Sequence, residues 1–121
     1  MSNASSSVAL VTGASSGIGA AIASHLVAHG YTVHGTSTKA AVARSQPPRL
    51  MMHVLDVRDQ HAVDAVVGDV VRQSGGIDVL VNNAGVGLAG ALGETTIPEA
   101  KDLLDINFFG PMRVTLAVLP Y

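Results

Sequence analysis

TGASSGIG, Thr12 to Gly19, stands between the apolar run Val8-Ala9-Leu10-Val11 and a segment in which Ile22, Ala23, Leu26, Val27 and Gly30 fall three, four, seven, eight and eleven residues after Gly19. The run reads as a short buried strand and the spacing as one face of a helix, so the glycines lie on a strand-to-helix turn. Such a turn aims backbone N–H groups outward at the positive end of a helix, where a phosphate can lie if no Cβ blocks its approach. The glycine spacing is G-x-x-x-G-x-G. It assigns Gly13 to the tight turn, Gly17 to close approach of a pyrophosphate and Gly19 to packing of the helix against the sheet.

Composition narrows what the turn can serve. A chain of 121 residues is read as one domain, large enough to bury a core without staples. The absence of cysteine excludes a disulfide framework, a cysteine-based zinc site and a thiol nucleophile. Seven Lys+Arg against nine Asp+Glu give a formal charge of -2 with no basic run, so nucleic acid and anionic membrane surfaces are not expected as partners. The opening MSNASSSVALV has neither the basic start nor the apolar length of a signal peptide, and no run approaches a membrane span, which predicts a cytoplasmic protein. With 48% hydrophobic and only 13% charged residues, the elements are expected to be buried on both faces, as in a parallel α/β sheet.

Met1 to Ser7 reads as a frayed leader. After the first helix, ended by Gly30, a second strand is predicted over Thr32 to Thr36 and a short helix over Lys39 to Arg44, stopped by Pro47-Pro48. A third strand covers Leu50 to Leu55 and is closed by Asp56-Val57. Asp59 then caps an amphipathic helix whose Val63, Val66, Val67, Val70 and Val71 share one face, ending at Ser74-Gly75-Gly76. A fourth strand, Ile77 to Val81, leads to Asn82-Asn83-Ala84-Gly85 and a small-residue loop through Gly93. Thr96 and Glu99 form a capping box for one last helix running toward Leu119. The alternation is βαβαβαβα, a parallel sheet with right-handed crossovers. His25 and His29 have metal-ligand spacing but lie off the apolar stripe; they read as solvated surface, and no metal site is assigned.

Taken together, TGASSGIG after strand one, Asp56-Val57 after strand three, NNAG (Asn82 to Gly85) after strand four and Asn107 in the following helix resemble the short-chain dehydrogenase/reductase family over residues 8–120. The resemblance implies a Rossmann-type α/β fold, here a partial parallel sheet of about four strands in the order 3-2-1-4 with helices on both faces. It implies that Ser15, Ser16 and Ile18 join Gly13, Gly17 and Gly19 around the pyrophosphate of a nicotinamide dinucleotide. Asp56 would accept from the adenine amino group with Val57 beside it, and Asn83, Ala84 and Gly85 would line the ribose. Asn107 corresponds to the family's active-site asparagine, which helps organise a proton relay. Thr12 and Asn82 are read as ties between strand ends. Where an acidic residue would hold a ribose diol at the end of strand two, this sequence has Ser37, then Thr38 and Lys39, which points to NADP with NAD as the alternative.

The family's chemistry also needs a serine and a Tyr-x-x-x-Lys pair, and no such pair exists in this sequence. Tyr31 precedes strand two, Tyr121 is the last residue, and a phenol near its ordinary pKa of about 10 is a poor base at neutral pH. The 121 residues are therefore expected to be the N-terminal half of an oxidoreductase acting on an alcohol or carbonyl, truncated before strand five and inactive alone. A non-catalytic nucleotide-binding module and an interaction module are the competing readings. The open edge of strand four and the apolar last helix predict a homo-oligomer or association with the missing C-terminal half.

Overall fold

The computed structural model describes residues 6–40, 45, 49–85 and 92–121. Most of the predicted leader, the body of the short helix before Pro47-Pro48, and most of the small-residue loop after Gly85 lie outside the described residues. The elements are β1 (Val8–Val11), α1 (Gly17–Ala28), β2 (Thr32–Ser37), β3 (Leu50–Val54), α2 (Gln60–Ser74), β4 (Val79–Val81), a 3-10 turn (Leu92–Glu94), α3 (Ile97–Leu104), a π turn (Asp105–Phe109) and α4 (Gly110–Val118). The described strands form one parallel sheet in the order β3-β2-β1-β4. That is the order implied by the resemblance, and it leaves β4 at an edge.

All four residues of β1 are buried, and the period of two divides them between the faces. Val8 and Leu10 meet Val63, Val66, Val67 and Val70 of α2 and Val114 of α4, whereas Ala9, Val11 and Val33 pack on Ala23 of α1 with Ile22 and Leu26 around them. Valine is a mediocre helix former, so α2 is held by this burial and by its ends. Asp59 accepts from the Ala62 N–H at 3.1 Å at the start, and Gly75 takes φ +85° at the end. Gly30 closes α1 at φ +88°, with its own N–H donating to the Val27 carbonyl and the Tyr31 N–H to Leu26. Among the described residues, no helix is long and apolar enough to cross a membrane.

The structure moves several boundaries. β2 runs on to Ser37 and β3 stops at Val54. β4 begins at Val79 rather than Ile77 because Asp78 uses its side chain: Oδ2 accepts from the Val8 N–H at 2.7 Å. The single last helix is three pieces. Gly110 donates to the Asp105 carbonyl five residues back, which widens one turn, and Pro111 has no N–H to give the preceding turn. Gly110 also fits this place because a Cβ there would stand 2.6 Å from Val57 Cγ2. The widened turn thus lies where the helix meets the segment after β3.

Candidate dinucleotide site

Parallel strands end together, so Thr12, Ser37, Asp56 and Asn82 follow at one edge of the sheet. Thr12 is buried there, and its hydroxyl oxygen accepts from the N–H groups of Asn83 and Ala84, each at 3.0 Å. Its own N–H donates to the Val81 carbonyl, which ties β1 to the end of β4. Asn82 reaches the other way, donating from Nδ2 to Thr115 Oγ1 on α4 at 3.1 Å. Thr36 makes a corresponding tie to β2: its Oγ1 accepts from the Gly13 N–H, and its carbonyl accepts from Ala14.

The glycine turn rests on these ties. Gly13 and Gly17 have φ +64° and +58°, conformations that L side chains rarely adopt. Gly19 is buried, and a Cβ on it would stand 2.0 Å from the Gly13 carbonyl oxygen and 2.5 Å from Asn83 Nδ2. Its closest neighbours are therefore Gly13 and Asn83, which follow β1 and β4. Asn83 closes the same contact by donating from Nδ2 to the Gly13 carbonyl at 3.0 Å.

Beside this turn lies a cleft of about 740 Å³, within the size range of cofactor sites. It is lined by Gly13, Ser15, Ser16 and Ile18 from the turn, Ser37 at the end of β2 with Thr38 and Lys39 beyond it, Asp56 and Val57 after β3, and Asn83, Ala84 and Gly85 after β4. Twelve of the fourteen residues predicted from the sequence to bind a cofactor thus share one cavity; Gly17 and Gly19 belong to the turn beside it. Thr36, Leu55, Arg58 and Ile106 also line it and were not anticipated. Ser37 sits in a tight turn in which its Oγ accepts from the Lys39 N–H at 3.1 Å, while Thr38 and Lys39 are exposed. Asn107 lies in the π turn, with Oδ1 2.9 Å from where a Cβ on Gly85 would be. A glycine at 85 leaves that side chain its room.

The site suits a polyphosphate by a difference between helix starts. The Asp59 carboxylate closes the first turn of α2, and Thr96 with Glu99 closes that of α3, both Thr96 Oγ1 and Glu99 Oε1 accepting backbone N–H groups at 3.2 Å. At α1 the corresponding residue, Ser16, makes no such side-chain bond. The first-turn N–H groups there are left to solvent or a ligand, with no acidic side chain in the turn to repel an anion. At the other end of the cleft the Arg58 guanidinium holds the Asp56 carboxyl below the usual carboxylate range, chiefly by hydrogen bonding.

Arg113 donates to the carbonyls of Val57 and Asp105 and pairs with the Asp105 carboxylate, so the segment after β3 and the π turn are joined. His25 and His29 are exposed and adjacent, with His29 Nδ1 2.9 Å from the His25 carbonyl oxygen. A polar cluster that the sequence did not reveal lies inside instead. His34, fully buried on β2, places Nδ1 2.9 Å from His53 Nε2 and Nε2 2.7 Å from Ser74 Oγ. Burial, with His53 close by, lowers the His34 pKa to about 4.

A family model described as short chain dehydrogenase matches residues 7–121. The chain is 40% identical over 114 residues to a 3-ketodihydrosphingosine reductase of Bacteroides thetaiotaomicron, covering 94% of this chain and 41% of that protein. It superposes with a TM-score of 0.91 on a short-chain dehydrogenase from Streptomyces avermitilis, at 47% identity, covering 96% of this chain and 44% of the other. It superposes at 0.89 on a variant actinorhodin polyketide ketoreductase solved with NADPH, at 37% identity, covering 94% and 46%. The chain thus spans about half the length of the relatives it matches. With the glycine turn, the order of the strands and the match over residues 7–121 in agreement, this chain belongs to the short-chain dehydrogenase family.

Proposed function

We propose that residues 1–121 form one dinucleotide-binding domain, the part of an NADP-dependent oxidoreductase that grips the adenosine half of its cofactor. The observation that carries this reading is the cleft, in which the uncapped start of α1 meets the ends of β2, β3 and β4. Gly13, Ser15, Ser16, Gly17, Ile18 and Gly19 surround the pyrophosphate, whose charge is met by the N–H groups of the first turn of α1. Asp56 accepts from the adenine amino group beside Val57, and Asn83, Ala84 and Gly85 border the ribose. Asn107 takes part in the proton relay. Thr38 and Lys39, with the Ser37 turn beneath them, receive a 2′-phosphate; the absence of a carboxylate at the end of β2 and the NADPH named with a structural neighbour support the phosphorylated form.

The bound cofactor supplies hydride transfer between its nicotinamide and an alcohol or carbonyl. The names of two relatives, a ketodihydrosphingosine reductase and a polyketide ketoreductase, favour a keto group as the substrate. These 121 residues offer no Tyr-x-x-x-Lys pair to move the proton, so they bind without turning over. Titration of the chain with NADP and NAD tests the reading. Tighter binding of NADP, by about tenfold for one charge-assisted phosphate contact, is expected. Tighter NAD binding overturns the cofactor assignment, and turnover by chain of verified mass overturns the division of labour.

Self-association is part of the same proposal. Among the described strands β4 pairs with β1 alone, and Leu104, Phe108, Phe109, Met112 and Leu116 are exposed. An apolar edge beside such a surface recruits a partner, either a second copy or a C-terminal half. Sedimentation should show association of the isolated chain at micromolar concentration. A stable monomer would refute this.

A further inference from the structure

We propose that Arg58 is a positioning residue for the base end of the cleft, holding the Asp56 carboxylate so that one acceptor position on Oδ2 remains for an exocyclic amine. The inference rests on the reading of Asp56 given above. An ionised carboxylate offers about four acceptor positions. Oδ1 takes two donors from Arg58, the backbone N–H at 3.0 Å and Nε at 3.0 Å. Oδ2 accepts from Nη2 at 2.7 Å and from Nε at 3.2 Å, the single Nε–H being shared between the two oxygens, so three N–H hydrogens meet the four acceptor positions. The remaining Arg58 nitrogen, Nη1, donates to Asp102 Oδ1 on α3 at 2.6 Å. Each of the three guanidinium nitrogens therefore has an acceptor, and the fork is anchored at both ends.

The side chains of Arg58 and Asp56 are 39% and 40% exposed, so solvent screens the pair and its contribution to folding is modest even with Asp102 joined to it. What the fork does fix is direction. A planar guanidinium meeting both carboxylate oxygens sets the plane of the carboxylate, which a lysine, a single point of charge, does not. The backbone bond from Arg58 to Oδ1 fixes it a second time within the turn Asp56-Val57-Arg58-Asp59, which the Asp59 N–H closes onto the Asp56 carbonyl. Both side chains line the cleft.

A ratio of affinities tests this without depending on overall stability. The 121-residue chain is titrated calorimetrically with NADP and with its deaminated analogue, in which a carbonyl oxygen replaces the adenine amine and faces the carboxylate. The unaltered chain should prefer NADP by about tenfold or more, the worth of one hydrogen bond to a charged group. R58A and R58K should bring the ratio within about threefold of unity, since lysine restores the charge and not the fork. D102N, which frees only the anchor on α3, should keep most of the preference. Circular dichroism of each variant verifies that it is folded. An unchanged ratio in R58A, with the preference abolished in D56N, overturns the role of Arg58 and leaves the Asp56 reading standing. No preference in the unaltered chain overturns both.

Discussion

On the α1 face of the sheet the buried residues are Ala9, Val11, Ala23 and Val33, with Ile22, Leu26, Leu50 and Met52 partly buried around them, and at Gly19 the helix lies against the backbone of its own entry turn. On the α2 face the same strands present Val8 and Leu10 to four valines and to Val114, and one inward position is a histidine joined to a second histidine and a serine. The α1 side adds close backbone approach at its entry turn to side-chain packing, whereas the α2 side rests on side-chain packing. The contrast explains where a ligand can enter. Where side chains are pared back to glycine and serine, first-turn N–H groups stay open; where aspartate and threonine cap the helices, they do not.

The largest effect is expected from disturbing the close approach. Gly19→Ala would drive a Cβ into the Gly13 carbonyl and the Asn83 amide, and should cost about 3 kcal/mol or more because backbone has to move. Gly17→Ala is the paired control. Its Cβ meets nothing within 4 Å, so only the left-handed backbone opposes it, at about 1 kcal/mol. Urea unfolding midpoints of the two variants provide the check. If Gly17→Ala proves the more damaging to stability, close packing is not what holds the α1 side.

On the α2 face the corresponding break is made with pH. His34 has a pKa of about 4 in the fold and about 6.5 when unfolded, so the unfolded chain binds the extra proton first. Its contribution is complete above about pH 6.5 and is lost as pH falls through 4, amounting to roughly 3 kcal/mol. Burial lowers the His53 pKa in the same direction, which steepens the same limb. Asp56, held below its ordinary value of 3.8, titrates under this window. His34→Gln should flatten the loss of stability between pH 6.5 and 4 in denaturant titrations. A limb as steep as before would show that the cluster is not the source of it.

The two faces were not equally legible from sequence. On the α1 side the governing signals are local: the glycine spacing, the apolar run before it and Gly30 after it lie within one stretch of chain, and the turn has little conformational choice. The residues after β3 and β4 proposed to bind the cofactor were assigned by resemblance, and the parallel strands bring them into one cavity. What the sequence concealed depends on distant partners. His34 reads as an ordinary strand residue until His53 and Ser74 arrive from elements 19 and 40 residues away. The π turn required Val57 to meet Gly110 across the fold, although Pro111 was a local warning that one continuous helix would break. Arg58 lies only two residues from Asp56, yet its contact with Asp102 spans 44 residues.

The smallest effect sharpens the comparison most. Asp59 accepts from the Ala62 N–H, so Asp59→Ala should cost about 1 kcal/mol, and Thr96→Ala a similar amount through loss of its capping box. Ser16 occupies the same place at α1 without such a bond, and Ser16→Ala should change stability by less than about 0.3 kcal/mol. Thermal unfolding of the three variants without ligand gives the ranking. The difference matters because a side chain already bonded to the first turn would compete with a phosphate for the same N–H groups, and each competing bond would have to break on binding. If Ser16→Ala costs as much as Asp59→Ala, the serine closes that turn in solution and the α1 start is a capped helix like the others. If its cost is near zero, the first-turn donors of α1 stand unclaimed beside the cleft, as an anion site requires.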